Sequence, residues 1–347
     1  MVQEQLAVQQ IIEQHLAPFV KKIDEEALYA ESYLLELGKQ GYFRSAGKDR
    51  ATLLLDEAKL VEQTAAVCMT TAFCLWCHLA ALTYLRTTTN ETLQATYLPR
   101  LEQGEQLGAT GLSNPMKFYT ELEKLHLNAE RVEGGYIVNG VLGAVSNLAT
   151  DHVFGGIAQL PNDEEVMFLV DLTKHAVPLK EKVNFIGLNG SATYSCRFDN
   201  IFIADEYVIS HQARAFVADI RPAFIIYQIP LGLGVIDAAI TSIEKVKAKQ
   251  NGCNQYLQTQ ACDLTDKREA LQQQLATLTQ GAPLKDICQT RLHTVYATLE
   301  ATQASMLHNG SAGYVAGSKP SRLLRESYFF ASLTPTVRHL EKIMQNQ

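Results

Sequence analysis

The spacing of apolar residues divides the chain into three stretches. Over residues 4–103, apolar side chains recur three and four positions apart, which predicts helices. From Gln106 onward, short alternating or β-branched runs are separated by turn residues such as Gly134-Gly135, a pattern typical of antiparallel strands. Beyond about His211 the helical spacing returns. The pattern therefore predicts a helical domain, a central β domain and a C-terminal helical bundle.

Glycines and prolines divide the last stretch into four predicted helices. These cover residues 219–250, 262–280, 284–309 and 321–345. Long helices with short connections favour an antiparallel four-helix bundle. The predicted fold class is thus α+β multidomain, with an all-α domain over 1–105, an antiparallel β domain over 106–212 and a four-helix bundle over 213–347.

Two local patterns, an uncharged stretch and an Asp-Asn pair, each predict a structural feature. Residues 64–85 lack acidic and basic side chains over a span long enough to cross a bilayer, but His78 and several threonines favour a helix buried in protein. Asp199-Asn200 lies between two β-branched runs and predicts a hairpin turn. We therefore expect a core helix at the first position and a strand reversal at the second.

Composition narrows the classes of function. The chain has 347 residues, of which 47% are apolar and 19% charged, as expected for a globular protein with more than one domain. The formal charge of −7 gives no basic field for nucleic acid. The N-terminus lacks the features of a signal peptide, and the seven cysteines mostly stand in apolar runs, which favours reduced thiols over disulfides or metal ligands. We expect a cytoplasmic protein without nucleic-acid, membrane or metal partners.

Several motifs follow one another in a recognisable order. They are Gly111-Leu112-Ser113-Asn114-Pro115, Gly187-Leu188-Asn189-Gly190-Ser191, Asp219-Ile220-Arg221-Pro222, Gly313-Tyr314 and Arg322-Leu323-Leu324-Arg325-Glu326. Together with the three-part pattern, they resemble the acyl-CoA dehydrogenase family of flavoenzymes. The resemblance implies an oxidoreductase with bound FAD, with FMN as the alternative. It also implies a homodimer or homotetramer, because a neighbouring subunit completes the FAD site in that family.

The resemblance assigns residues to the cofactor. Leu112 and Ser113 match the loop at the pyrimidine side of the flavin, where hydrogen-bond donors stabilise the reduced ring. Val145 and Ser146 match an Ile-Thr element near flavin N5, although Asn139-Gly140 in the same stretch also suits an ordinary hairpin turn. Thr334 and Thr336 complete the implied FAD contacts. At the pyrophosphate, lysines 247 and 249 stand near the position of a family arginine.

The implied catalytic position lacks a carboxylate. In the family a glutamate at the position of Thr334 removes the α proton of the acyl thioester, and a threonine hydroxyl cannot act as that base. Asp219 and His78 are weak substitutes, so the catalytic base is unknown. Arg221 corresponds to an arginine at the substrate's CoA portion and is the implied substrate-binding residue.

The sequence is compatible with three functions. The first is dehydrogenation of a CH–CH bond in an acyl thioester, with acyl-CoA as substrate and a separate electron acceptor. The second is a monooxygenase that uses reduced flavin supplied by a reductase, in which His78 would assist. The third is a non-catalytic relative that binds a ligand or acts as a partner subunit.

Overall fold

The computed structural model describes residues 2–161, 163–182 and 184–345, with side chains from residue 8 onward. The first third of the chain is helical, as predicted. Asn90, the N-cap of the sixth helix, accepts a hydrogen bond from the Leu93 amide at 3.2 Å. The helices are α1 (Val2–His15), α2 (Val20–Glu25), α3 (Glu31–Lys39), α4 (Arg50–Ala65), α5 (Met69–Thr87) and α6 (Glu91–Glu102).

Helix α5 is the core of the N-terminal region. Every side chain from Met69 to Leu82 is buried, and the Trp76 indole donates a hydrogen bond to the Phe224 carbonyl at 3.0 Å. This burial agrees with the predicted core helix. Among the described residues, the segment long and apolar enough to cross a membrane is Ala213–Glu244, and 89% of its apolar window is buried inside the protein.

One eight-stranded sheet occupies the middle of the chain. Its order is β6-β7-β3-β2-β4-β5-β8, and β1 pairs with β4. The pairing is mostly antiparallel, as predicted, but β1 and β2 each run parallel to β4. The strands are β1 (Gly108–Thr110), β2 (Leu127–Val132), β3 (Gly135–Val145), β4 (Val153–Gln159), β5 (Glu165–Asp171), β6 (Leu179–Glu181), β7 (Tyr194–Ala204) and β8 (Val208–Ser210).

The hairpin turn predicted at Asp199-Asn200 is wrong. Strand β7 continues through it, and Asn200 instead has a φ of +51° at an irregularity opposite Asn139 of β3. Asn139-Gly140 likewise lies inside β3, and the Asn139 side chain accepts a hydrogen bond from the Asn200 amide at 2.8 Å. Asparagine and glycine tolerate positive φ in a bulge as well as in a turn, so the sequence signal was ambiguous.

The last third contains six helices where four were predicted, within the described part of the chain. Prolines account for much of the difference. Pro230 lies in the first turn of α9 and Pro335 in the break after α12, whereas Pro222, expected at a helix start, lies inside α8. The helices are α8 (Ala213–Ile226), α9 (Ile229–Glu244), α10 (Ala261–Leu278), α11 (Leu284–Asn309), α12 (Lys319–Ser332) and α13 (Val337–Gln345).

The helical regions at the two ends of the chain pack against each other through α4 and α9. Gly234 makes this close approach possible, because a Cβ there would lie 2.4 Å from the Glu62 carbonyl oxygen. The order of helices, sheet and helices confirms the predicted fold class. The domain bounds at 105 and 212 stay a prediction.

Candidate functional site

Two hydroxyl residues assigned to the cofactor meet across the junction of the sheet and the C-terminal helices. Ser113 begins the short helix α7 (Ser113–Phe118), which follows β1, and Thr334 lies in the break between α12 and α13. Their hydroxyl oxygens are 3.2 Å apart. Ser113 is exposed, whereas Thr334 is 7% exposed. The fold therefore brings together residues that are 221 positions apart in the chain.

The other assigned cofactor residues lie in different environments. Leu112 and Val145 have side chains buried in the core, so only their backbone groups could contact a ligand. The Thr336 hydroxyl is buried and has no hydrogen-bond partner. Ser146 lies 2.7 Å from the Thr193 hydroxyl, which in turn lies 2.8 Å from Ser191. The free Thr336 hydroxyl and the exposed Ser113 fit the polar edge of a flavin ring, while Ser146 already has a protein partner.

The arginines of the Arg322–Glu326 motif and a lysine near the implied pyrophosphate position are engaged within the protein. Arg322 pairs with Glu326 at 2.8 Å, and Arg325 binds Asp24 through two hydrogen bonds of 2.7 and 2.6 Å. Lys247 pairs with Glu244 at 2.7 Å. These contacts brace the helices. The structure thus fits the ring of a flavin better than its pyrophosphate.

Neither weak candidate for the base forms a hydrogen bond with Thr334. The Asp219 side chain is 60% exposed and faces Arg50 at 3.9 Å. His78 is fully buried, and its Nδ1 accepts a hydrogen bond from the Gly108 amide at 3.0 Å. Burial lowers the pKa of His78 to about 3, so the ring is neutral at physiological pH. Its contact with Gly108 attaches α5 to β1, a structural role.

Two polar residues that the sequence analysis missed lie behind Thr334. Gln228, between α8 and α9, donates a hydrogen bond to the Thr334 carbonyl at 2.9 Å. The side-chain amide oxygen Oε1 of Gln228 accepts one from Arg291 Nε at 3.0 Å. Both side chains are fully buried. An amide within the apolar run Phe224–Gly234 was a usable signal, because a buried polar group requires partners.

Arg291 is a buried guanidinium on α11. Its Nη2 donates to the Phe330 carbonyl at 3.0 Å, and its Cζ lies 3.7 Å from the centroid of the Phe330 ring. Its Nη1 has no acceptor. Burial lowers the pKa of Arg291 to about 9. Helical spacing was the available signal, since Arg291 follows the buried residues Ile287 and Cys288 by four and three positions.

Arg221, the implied substrate-binding residue, lies on α8 two turns before Gln228. Its Nε is buried and has no hydrogen-bond partner. Helix α8 ends at Ile226, so Gln228 lies just beyond its C-terminus. Burial raises the pKa of the Cys288 thiol to about 11, and nearby Arg221 and Arg291 oppose that rise. Both guanidinium groups therefore lie near this thiol.

The segment that contains Pro115 forms the helix α7 rather than an extended loop. Phe118 and Tyr119 at its end pack near the guanidinium of Arg214, whose Cζ lies 4.9 Å from the Tyr119 ring centroid. Arg214 also pairs with the buried carboxylate of Glu165 at 2.7 Å. A cleft of about 470 Å³, lined by Glu165, His211 and Arg214 among others, opens beside this group.

A histidine and two carboxylates form a polar cluster elsewhere. His152 Nε2 lies 3.1 Å from Glu31 and 3.8 Å from Asp151. Its Nδ1 lies 2.9 Å from the Asn147 carbonyl oxygen. The hydrogen bond to His152 lowers the pKa of the Glu31 carboxyl. A hydrogen bond between His152 and Glu31 accounts for the cluster.

Comparisons with known proteins agree with this architecture. Residues 3–105 match the family model "Acyl-CoA dehydrogenase, N-terminal domain". A mitochondrial isovaleryl-CoA dehydrogenase from Solanum tuberosum is 28% identical over 134 residues, which covers 38% of this chain and 32% of that protein. The matched region thus spans about a third of that relative.

Solved structures extend the likeness to the whole chain. A glutaryl-coenzyme A dehydrogenase in complex with glutaryl-CoA has a TM-score of 0.88 at 17% identity and covers 98% of this chain and 93% of its own. A structure described as electron transferring flavoprotein of Acidaminococcus fermentans has a TM-score of 0.88 at 18% identity and covers 98% of this chain and 95% of its own. These identities support the fold, and the family model and curated relatives add the sequence relationship. The chain belongs to the acyl-CoA dehydrogenase family.

Proposed function

We propose that this protein is a flavin-dependent oxidoreductase that binds an acyl thioester at the junction of the sheet and the C-terminal helices. The observation that supports the proposal is the 3.2 Å contact between the Ser113 and Thr334 hydroxyls, because one residue of each implied cofactor segment takes part in it. Bound FAD would supply an acceptor for hydride. Membership of a family whose named relatives are acyl-CoA dehydrogenases supports the substrate class.

Residues of this protein would hold the flavin ring, whereas another group would have to remove the α proton of the substrate. Ser113 and Thr336 supply hydroxyls, and Leu112 and Val145 supply backbone groups. Arg221 would meet the substrate. No carboxylate forms a hydrogen bond or ion pair with Thr334, Arg221 or Arg291 among the side chains that the structure describes. Removal of the α proton would therefore be slow, because a positioned base contributes about 10²–10⁴ in rate.

Among the described side chains, the lack of a carboxylate bonded to Thr334, Arg221 or Arg291 favours a second candidate. This candidate is a relative that binds an acyl thioester without oxidising it. In that case Gln228 and Arg291 would maintain the site while the chemistry is lost. The monooxygenase alternative depends on His78 reaching the flavin. Its ring is fully buried and already accepts the Gly108 amide, so the geometry does not support it.

The remaining proposals concern the protein's location, its oligomeric state, its cofactor and its electron acceptor. We propose a cytoplasmic protein and a homo-oligomer, dimer or tetramer, with FAD preferred to FMN. A separate flavoprotein would accept the electrons. Dialysis against FAD and FMN and sedimentation of the purified protein test these assignments directly.

The function is tested by the visible spectrum of purified protein during anaerobic addition of valeryl-CoA. A dehydrogenase would retain flavin and lose its absorbance as the acyl thioester reduces it. In Thr334→Glu, a carboxylate would occupy the implied base position, and we expect bleaching to accelerate by about 100-fold or more. Thr334→Gln is the matched control, because it has similar size without a base.

Each outcome separates the candidates. Retained flavin with bleaching in either protein supports the oxidoreductase. Tight binding of the thioester without bleaching, even in Thr334→Glu, supports the non-oxidising relative. If neither FAD nor FMN stays bound after dialysis, the flavin assignment is wrong.

A further inference from the structure

A histidine and two carboxylates converge where the N-terminal helices meet the sheet. Glu31 is the first residue of α3, and Asp151 and His152 directly precede β4. One oxygen of each carboxylate and one ring nitrogen of the histidine all lie within 4.8 Å of one another. The His152 side chain is 2% exposed, whereas those of Glu31 and Asp151 are 40% and 71% exposed. A buried nitrogen and the oxygens of two solvent-accessible carboxylates therefore face the same small space.

A hydrogen bond outside this cluster fixes one proton on the His152 ring. Its Nδ1 lies 2.9 Å from the Asn147 carbonyl oxygen, which accepts hydrogen bonds and donates none, so Nδ1 carries a hydrogen. In the neutral ring Nε2 is then an acceptor. The oxygens that face Nε2, those of Glu31 at 3.1 Å and Asp151 at 3.8 Å, are acceptors as well. The three atoms therefore require a second proton, on Nε2, or a cation between them.

The charge of the cluster favours a cation. With a second proton on His152, two carboxylates face one positive charge, and one negative charge stays unbalanced. Among the described residues, neither Glu31 nor Asp151 forms an ion pair with a lysine or an arginine. A divalent cation in place of that proton would balance both carboxylates and would also give Nε2 a partner.

The residue behind His152 is held firmly. Asn147 is fully buried, and its side chain donates to the Gly108 carbonyl at 2.8 Å and accepts the Tyr29 hydroxyl at 2.6 Å. Histidine ligands of metal ions usually donate their second ring N–H to a carbonyl or carboxylate, which fixes the tautomer and the orientation of the ring. Asn147 supplies that contact, so Nε2 is presented to the two carboxylates in the form that binds a metal.

We propose that Glu31, Asp151 and His152 bind a divalent transition-metal ion, for which Zn²⁺ is the best match. Zn²⁺ accepts imidazole nitrogen and carboxylate oxygen at about 2.0–2.2 Å, which places the ligand atoms of a tetrahedral site roughly 3.4 Å apart. The separations of 3.1 and 3.8 Å from Nε2 bracket this value. The longer one belongs to Asp151, whose exposed side chain can move inward.

This inference is independent of the proposed function. The ion would connect α3 to the start of β4 and so join the N-terminal helices to the sheet. It also departs from the expectation of no metal partner, which came from the cysteines. The three proposed ligands include no cysteine, and Glu31 and His152 are 121 positions apart, so no ligand spacing marks them in the sequence.

Calorimetric titration with Zn²⁺ tests the site on the full chain after treatment with EDTA. Cys253 and Cys262 are exposed and could bind Zn²⁺ themselves, so serine replaces both in the background protein. We expect one Zn²⁺ per chain. In Glu31→Gln and in His152→Gln the affinity should fall by about 100-fold or more, because even changes behind a metal ligand cost 10–100-fold.

Controls separate the site from general effects. Glu130→Gln makes the same change at an exposed position on β2 and should leave Zn²⁺ affinity within about twofold of the background. Asp151→Asn changes an exposed side chain and keeps the test valid should His152→Gln fail to fold. Saturating Zn²⁺ should raise the Tm of the background protein and leave that of Glu31→Gln unchanged, because a ligand stabilises the state that binds it.

The results decide the inference in either direction. Loss of affinity in the cluster variants, with Glu130→Gln unchanged, supports it. Absence of Zn²⁺ binding in the background protein overturns it. Equal Zn²⁺ affinity in the background, Glu31→Gln and Asp151→Asn also overturns it, since the ion would then lie elsewhere. Tighter binding of Mg²⁺ or Ca²⁺ than of Zn²⁺ would show that the class of metal is wrong.

Discussion

Two buried arginines of this protein have opposite electrostatic surroundings. Arg86, on α5, pairs with Glu57 at 2.9 Å and Glu102 at 3.2 Å and donates to the Phe43 carbonyl at 2.6 Å. Arg291, on α11, has neutral hydrogen-bond partners and an aromatic ring, but no carboxylate in the described part of the chain. One charge is balanced within the fold, whereas the other is not.

Their pKa values express the same difference. Burial alone would lower the pKa of either guanidinium, because desolvation disfavours the charged form. At Arg86 the Glu57 carboxylate overcomes this effect and raises the pKa. At Arg291 burial prevails, and the pKa falls to about 9. Glu57 thus compensates the charge of Arg86 inside the fold, whereas no described carboxylate compensates that of Arg291.

The largest expected effect comes from breaking the balanced pair. Arg86→Met leaves the buried Glu57 carboxylate without its cation, so we expect the free energy of unfolding to fall by about 3–5 kcal/mol. Urea denaturation at neutral pH measures it. Arg197→Met, at an exposed position, should change stability by no more than about 0.5 kcal/mol. Equal losses in the two variants would contradict the assigned role of Arg86.

His78 is a third buried basic residue, and unlike the two arginines it is neutral at physiological pH. Its folded pKa is about 3, against an ordinary value of 6.5. Between these values the unfolded chain binds the extra proton, so stability falls as the pH falls, by about 1.4 kcal/mol per unit. The variant His78→Asn retains an acceptor for the Gly108 amide. Between pH 6.5 and 5, we expect its free energy of unfolding to fall by about 2 kcal/mol less than that of wild type.

The pH dependence of unfolding in the two proteins checks this effect. Other carboxyl groups titrate in both proteins and cancel in the difference. Parallel pH profiles would show that protonated His78 is tolerated in the fold. In that case the pKa assigned to the buried ring would be wrong.

The smallest effect is expected for Arg291. Arg291→Met leaves Gln228 and the Phe330 carbonyl without donors, a loss of about 1–3 kcal/mol, but it also removes an unbalanced charge. We expect a net change within about 2 kcal/mol without ligand. Above pH 9 the folded protein releases the Arg291 proton while the unfolded chain keeps it. Wild type should therefore gain about 1.4 kcal/mol per pH unit relative to the variant.

Unfolding at pH 7.5 and pH 10 measures this gain. Arg86→Lys serves as the reference, since the Arg86 pKa is raised and that residue should show no such gain below pH 10. A constant difference between wild type and Arg291→Met at the two pH values would mean that Arg291 is balanced after all. That result would remove the contrast between the two arginines.

Periodicity predicted the large features of the fold. The apolar run of α5 was sufficient to predict a buried helix. Local turn chemistry failed at Asn139-Gly140 and Asp199-Asn200, because the same residues satisfy a bulge between two long strands. Only the pairing partner decides between the two, and a single sequence does not reveal it.

The candidate site was predicted in part. Ser113, Thr334 and Thr336 came from motifs, and the fold brings Ser113 and Thr334 into contact. Gln228 and Arg291 belong to no motif, so they were missed. Their roles depend on burial and on unpaired donors, which are properties of the packed molecule.

The contact between Ser113 and Thr334 also has a consequence for synthesis in the cell. Ser113 and Thr334 line the same edge, so both residues must have left the ribosome before that edge can form. A nascent chain that stops before position 334 would have the sheet but only one side of the edge. The edge therefore forms only once position 334 has been made and released.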